Sequence, residues 1–308
     1  MSRRLQILMA TYNSGRYLAP QLDSILAQDF PDFEILIRDG GSTDGTQEII
    51  DRYRQKFPEK IVFAGQKRAG ACENFSELLN ISDGDLIMFS DHDDIWMPDK
   101  ISSLLTKFGE MEKRYGSSTP LLLFSDAMVT DDRLNVISNS LMKYQHLDPS
   151  ALTINRLILQ NVPSGNVMLF NRALADLAMP IPETAVMHDH WLALAAAAFG
   201  KIEFLDRPTV YYRQHGNNVF GASQYSAMSF WRRLKQGRRK IRERFDRNIT
   251  QAVAFGQRYH DLSAKDKEML SALNEWGKLG FWGKRRIILK YRLKKSGFLR
   301  NLGTFLIV

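Results

Sequence analysis

One cysteine, Cys72, occurs in 308 residues. A lone thiol excludes a disulfide framework and a four-cysteine zinc site, and it suits a reducing compartment. The N-terminus, MSRRLQILMATYN, lacks the apolar core of about 7–15 residues and the small-residue cleavage site of a secretory leader. The uncharged stretch 157–171 (LILQNVPSGNVMLFN) is too short, and too rich in Pro, Gly and Asn, to cross a bilayer. Repeats and low-complexity tracts are absent. The rest is ordinary globular composition, 44% hydrophobic and 25% charged, which argues against wholesale disorder. At roughly 150 residues per domain, one large domain or a domain with an appendage is expected, with a sizeable core.

The net charge of +8 conceals a split. Residues 1–222 hold 21 Lys/Arg against 28 Asp/Glu, a net of −7. Residues 223–308 hold 21 against 6, a net of +15. Such asymmetry points to two parts with different partners. The loop-like run HGNNVFG marks the boundary, so the expected division is 1–222 and 223–308.

Strand and helix patterns alternate through the first part. Residues 5–10, 34–38, 61–64, 85–90 and 121–125 are apolar runs of strand length. Between them Leu18/Leu22/Ile25/Leu26, Ile49/Ile50/Tyr53/Phe57, Phe75/Leu78/Leu79 and Ile101/Leu104/Leu105/Phe108 recur at helical spacing. Pro98 reads as the start of the last of these helices. This order predicts an α/β fold with a mostly parallel, Rossmann-like sheet flanked by helices. Ligands of such sheets bind beyond the carboxyl ends of the strands. TYN at 11–13, DGGSTD at 39–44 and DHDD at 91–94 all sit there, so three strand ends converge on one crevice.

DHDD places three carboxylates and an imidazole directly after an apolar strand. Asp91, Asp93 and Asp94 repel one another unless a cation or hydrogen bonds offset the charge. Hard oxygen ligands suit Mg²⁺ or Mn²⁺, with phosphate oxygens completing the shell. Asp94 alone reads equally well as the cap of the helix after Pro98. DGGSTD offers small residues and backbone donors for a nucleotide, and also an ordinary helix cap.

These motifs, in series with LDSILAQ, GACENF, VPSGNVMLFN, MHDHWLALAAAAFGKIEFLD and YYRQHGNN, resemble the family 2 glycosyltransferases of GT-A fold. The resemblance runs over about residues 5–221 and is nearest the bacterial branch of rhamnosyltransferases that build O-antigen or exopolysaccharide. It implies an inverting, metal-dependent transfer from a UDP- or dTDP-sugar, dTDP-rhamnose among them, to a saccharide hydroxyl. It implies Mn²⁺ or Mg²⁺ on Asp91 and Asp93, with His215 either completing the shell or anchoring its loop, and nucleotide contacts at Thr11, Tyr12 and Asp39. Asp189, in MHDHW, matches the catalytic base; read alone it is rather a helix cap ahead of WLALAAAAF. His188 and His190 are expected as acceptor-pocket or structural residues, and Trp191 as pocket wall or core. Residues 163–166 (PSGN) match the loop lining the donor-sugar pocket. Two departures stand out. Gly40 replaces the second of two acids that the family usually carries, the one that contacts the pyrimidine ring, and His92 stands where glutamine is commoner in this branch.

After Glu275 nine Lys/Arg and no acid occur in 33 residues, interleaved with Phe281, Trp282, Phe298 and other apolar side chains. A basic amphipathic segment of this kind suits an anionic membrane surface, and equally a helical bundle packed on the catalytic domain with solvated basic faces. No nucleic acid is expected, because no recognised nucleic-acid motif accompanies the charge. The expected location is cytoplasmic, peripheral on the inner membrane, beside a polyprenyl-diphosphate-linked acceptor. Two alternatives remain. A nucleotidyltransferase would show a Gly-rich loop with Arg and Lys after the first strand, where TYNSG stands. A degenerate binding module draws its support from Gly40.

Overall fold

The computed structural model describes residues 3–216, residue 224 and residues 238–307. The expected boundary at 222/223 lies outside these described residues.

β1 (Leu5–Thr11) is buried at every position, as a strand covered on both faces must be. Gln6 is inside it, and its amide is fully engaged. It donates to Glu34 and Asp83 and accepts from Ser82 and the N–H groups of Asp83 and Gly84. β1 pairs in parallel with β2 (Phe33–Asp39) and β4 (Leu86–Ser90), and β2 with β3 (Ile61–Gln66). The crossovers are α1 (Leu18–Leu26), α2 (Thr46–Lys56) and α3 (Ala71–Ile81). This parallel half follows the pattern read from the sequence.

Past β4 the sheet changes direction. β8 (Met168–Asn171) runs antiparallel between β4 and β6 (Leu121–Thr130). β9 (Lys201–Arg213) lies parallel to β6, and β5 (Ile95–Trp96) pairs antiparallel with β9. The order across the sheet is β3-β2-β1-β4-β8-β6-β9-β5, with β7 (Val136–Ser138) on β6. The sheet is therefore mixed, and its reversal lay hidden in the aperiodic run 157–171. The next elements are α4 (Lys100–Tyr115), α5 (Leu141–Gln145), α6 (Ile154–Leu157), α7 (Arg172–Ala178) and α8 (His188–Phe199). α4 begins two residues after Pro98, with Asp99 at its cap position.

α8 is buried almost all round, with Leu192 to Ala196 wholly enclosed. That enclosure fixes its first turn in place. The chain then forms α9 (Arg238–Arg258), α10 (Ala264–Asn274), α11 (Phe281–Lys290) and α12 (Phe298–Ile307). α9 shares the core: Phe245, Ile249, Ala252 and Phe255 are buried at helical spacing. The Phe255 ring lies 5.3 Å from Trp191. Gln251 accepts from the Val186 N–H at 2.7 Å, and Asn248 donates to the Leu159 carbonyl at 3.0 Å.

Candidate active site

β1, β2 and β4 are parallel neighbours, so Thr11, Asp39 and Ser90 end on one edge of the sheet. The loops that follow are sewn together. Asn13 takes a positive φ, which asparagine tolerates; its side chain accepts from the Thr43 N–H, while its own N–H donates to Ser42. The Gly15 N–H donates to Asp44, and the Ser14 N–H to Thr46. The hydroxyl and carboxylate side chains of DGGSTD therefore hold two loops in register. Asp39 is wholly buried. It accepts from the Thr11 hydroxyl, the Ser42 hydroxyl and the N–H groups of Gly41 and Ser42. It stands behind the wall of the cleft, where its carboxylate builds the loop. Thr11 and Tyr12 line the cleft, Tyr12 half in solvent.

Gly40 faces the cleft too. A Cβ there would lie 3.0 Å from the Asn74 amide nitrogen and 3.2 Å from the carbonyls of Ala69 and Thr11. Asn74 is held by Arg38 and by the Ala69 carbonyl. The space next to residue 40 is thus taken, which gives the Gly40 departure a steric counterpart.

The acidic motif follows β4. Ligand oxygens of Asp91, Asp93 and Asp94 lie within 4.8 Å of one another. His215 is brought to the same place from beyond β9: its Nε2 is 2.8 Å from Asp93 Oδ2, and its ring stacks on Tyr17 at 4.6 Å. Burial and the charges of Asp94 and Asp93 push the Asp91 carboxyl well above its ordinary value. Burial, with Asp93 beside it, raises Asp94 to about 7. The expected cap role of Asp94 is not what the structure shows. Its oxygens accept from the Asn166 amide at 2.6 Å and the Arg213 N–H at 3.0 Å, tying three segments together. His92 accordingly serves the scaffold, with Nδ1 3.1 Å from the Ala10 carbonyl.

Lys100 was not foreseen as a site residue. It is wholly buried under the motif, 3.5 Å above the Trp96 ring, and donates to the Asn166 carbonyl at 2.6 Å. Burial holds its ammonium well below the ordinary lysine value, against the pull of Asp94 and Asp91. A lysine at a helix start usually points to water, so its sequence carried no signal.

On the same cleft, Asp189 sits in the first turn of α8, where the cap residue is Met187. Its carboxylate accepts from the Gly165 N–H at 3.0 Å and the His190 N–H at 2.6 Å. Burial nevertheless raises it to about 6. Gly165 of the PSGN loop must be small for close approach: a Cβ would come within 3.2 Å of His188 Nε2. The two histidines differ. His190 is anchored 2.6 Å from the Leu157 carbonyl, and burial lowers it to about 4. His188 lines the cleft, stacked 4.1 Å from Phe75, and burial lowers it to about 3. Trp191 is core, wholly buried with Nε1 donating to the Ala178 carbonyl.

Thr11, Tyr12, Asp91, Asp93, Asp189 and His215 border one cleft of about 1420 Å³. It is large enough for a nucleotide sugar and part of an acceptor. Residues 6–118 match the family described as Glycosyl transferase family 2. Over that stretch the chain is similar to the family 2 glycosyltransferases. Among curated relatives, the transferase is 25% identical over 297 residues to the uncharacterized glycosyltransferase alr2836 of Nostoc sp., covering 93% of this chain and 88% of that one. It is 28% identical over 258 residues to the dTDP-rhamnosyl transferase RfbG of Shigella flexneri, covering 80% and 84%. Among solved structures, Staphylococcus aureus TarS 1–349 in complex with UDP-GlcNAc aligns with a TM-score of 0.55 and 18% identity, over 94% of this chain and 80% of that one. The transferase spans 42% of the longer TarS chain. The mannosyltransferase PcManGT of Pyrobaculum calidifontis, in complex with GDP-Man and Mn²⁺, aligns with a TM-score of 0.55 and 16% identity, over 94% and 74%. At these identities the structural likeness establishes the GT-A fold. The transferase is an enzyme of the glycosyltransferase class.

Proposed function

We propose that the protein transfers a sugar, with inversion, from a UDP- or dTDP-sugar to a hydroxyl of a lipid-linked saccharide acceptor at the inner face of a bacterial membrane. The observation that carries this reading is the presence of two unlike acidic centres on one cleft: the clustered Asp91/Asp93 beside His215, and the single Asp189.

The first centre has the donor set of a divalent-cation site, hard carboxylate oxygens with one imidazole. Asp91, Asp93 and His215 would hold Mn²⁺ or Mg²⁺. Such an ion, when bound, offsets the charge of a departing nucleoside diphosphate, so no acid is needed there. Lys100, Asn166 and Arg213 hold the motif rigid from behind. Tyr12 and Thr11 contact the nucleotide from the wall. Asp39 supports that wall from within, and Gly40, having no side chain, offers the base a backbone surface in place of a carboxylate.

Asp189 acts as the base. At about 6 its carboxyl is ionised at neutral pH and close enough to neutrality to take a proton efficiently. It accepts the proton of the acceptor hydroxyl as that oxygen attacks the anomeric carbon. The C–O bond to the diphosphate breaks on the opposite face, which inverts the configuration. The N–H groups of Gly165 and His190 aim the carboxylate throughout. RfbG supports a dTDP-rhamnose donor and TarS a UDP-linked one.

Thermal shift with UDP, dTDP and GDP, each with and without Mn²⁺, tests this reading. A ligand bound only by the folded state stabilises it by about 2.7 kcal/mol at 100-fold above its dissociation constant. Stabilisation by UDP or dTDP that needs metal and disappears in Asp93→Ala is expected. Silence towards every diphosphate would overturn the reading and favour a binding module.

A further inference from the structure

Helices α11 and α12 leave two apolar faces uncovered. On α12, Phe298, Leu302 and Leu306 lie one turn apart and are 76%, 38% and 62% exposed, while Gly303 and Thr304 on the other side are buried. On α11, Trp282 and Leu289 are 78% and 66% exposed, with exposed Arg286 between them on the same face. The Arg285 guanidinium joins the two helices, 3.1 Å from the Phe281 ring and 5.2 Å from the Phe305 ring. A soluble surface seldom carries so much large apolar side chain together. Residues 276–308 contain no Asp or Glu, and Arg286, Arg292 and Lys294 are exposed; Glu268 pairs with Lys290 and Asp148 lies near Lys294, so the excess on this side is basic without being of one sign.

The start of α12 is tied to residues that line the cleft. The Ser296 N–H donates to Gln160 at 2.7 Å, and Arg300 donates to the Gln145 and His146 carbonyls at 2.5 and 3.1 Å. Gln145 and Gln160 line the cleft, and Phe298 lies midway in sequence between Ser296 and Arg300. No described helix is long and apolar enough to cross a membrane. A basic, amphipathic surface without a span lies on a bilayer, its apolar side chains in the headgroup boundary and its cations on anionic lipid.

We propose that the outer faces of α11 and α12 are the docking surface for an anionic bilayer, placed so that the acceptor enters the cleft across the Gln145–Gln160 rim. The docking stands on its own; the route of the acceptor rests on the transferase reading above.

The test is co-sedimentation of the full chain with vesicles of phosphatidylcholine alone or with about a third phosphatidylglycerol, a charge dependence that salt should screen. The wild type is expected to bind the anionic vesicles, at least tenfold better than the neutral ones. The triple variant Phe298→Ser/Leu302→Ser/Leu306→Ser should lose at least tenfold in binding with an unchanged melting temperature, because these side chains are solvated. Arg286→Gln/Arg292→Gln/Lys294→Gln should lose the preference for anionic lipid. Equal binding by wild type and the triple variant, or no binding by the wild type, overturns the proposal. A wild-type dimer that the triple variant makes monomeric, with vesicle binding unaltered, assigns the face to a second copy and also overturns it. The diphosphate thermal shift is run on both proteins. Its failure in both, with vesicle binding intact, would strike the transferase reading and leave the docking surface standing.

Discussion

Replacing Asp189 by asparagine probes the base directly. The carboxylate accepts two N–H groups, from Gly165 and His190. An amide can accept only one of them through its oxygen and must turn its NH₂ towards the other. Leaving one such donor unsatisfied costs about 1–3 kcal/mol, so Asp189→Asn should melt a few degrees lower and still fold. The catalytic loss is larger: a positioned base contributes about 10²–10⁴-fold. Metal-dependent release of nucleoside diphosphate from a saturating UDP- or dTDP-sugar reads it, with water or a saccharide as acceptor. The wild type should show the same group in its pH profile. With its carboxyl at about 6, Asp189 is ionised in roughly ten molecules of eleven at pH 7 and in about one of eleven at pH 5. The rate should therefore fall close to tenfold as pH drops from 7 to 5. Asp91 and Asp94 also gain protons in acid, so donor and Mn²⁺ must be held saturating at each pH. A variant that folds, binds diphosphate with Mn²⁺ and turns over within threefold of wild type would refute the assignment. So would a wild-type rate that is level from pH 5 to 7.

Asp93→Ala should abolish metal-dependent stabilisation by diphosphate while leaving the melting temperature of the metal-free protein unchanged or higher, since it removes one of three crowded carboxylates; calorimetric Mn²⁺ titration checks both halves. Lys100→Met keeps the volume and removes the donor to the Asn166 carbonyl, so it should destabilise by about 1–3 kcal/mol in denaturant titration, the cost of leaving a buried acceptor unsatisfied. Gly40→Asp restores the acid usual in the family but drives a side chain into Asn74 and the Ala69 and Thr11 carbonyls; a loss of about 1–3 kcal/mol is expected, and Asn74→Ala should relieve part of it in the double variant. His188→Phe preserves the stack on Phe75 but puts a larger ring against Gly165, so it should lose about 1–3 kcal/mol in denaturant titration, and a changed donor KM would show that the imidazole touches the donor.

What was legible in the sequence lay where local pattern decides structure. Apolar runs ending in polar loops placed Thr11, Asp39 and the DHDD motif on one edge, because parallel strands joined by crossover helices must end together. The convergence of Asp189 and His215 on that edge was carried by the serial resemblance, since neither lies near DHDD in the chain. The reversal at β8 was hidden because a four-residue strand buried on both faces has no period to read. The supporting roles of Lys100, Arg213 and Asn166, the last expected only as part of the pocket loop, are hidden for a different reason: they come from long-range contacts among residues 66 to 119 positions apart. Asp39, which the resemblance implies as a nucleotide contact, accepts from four internal donors, a role that only the folded loops reveal. Gly40 and Asn74 join the two levels. A glycine where an acid is usual reads, in sequence, as a loss. In three dimensions the Asn74 amide, held by Arg38 and the Ala69 carbonyl, occupies the neighbouring space, so a side chain at residue 40 would have to displace it.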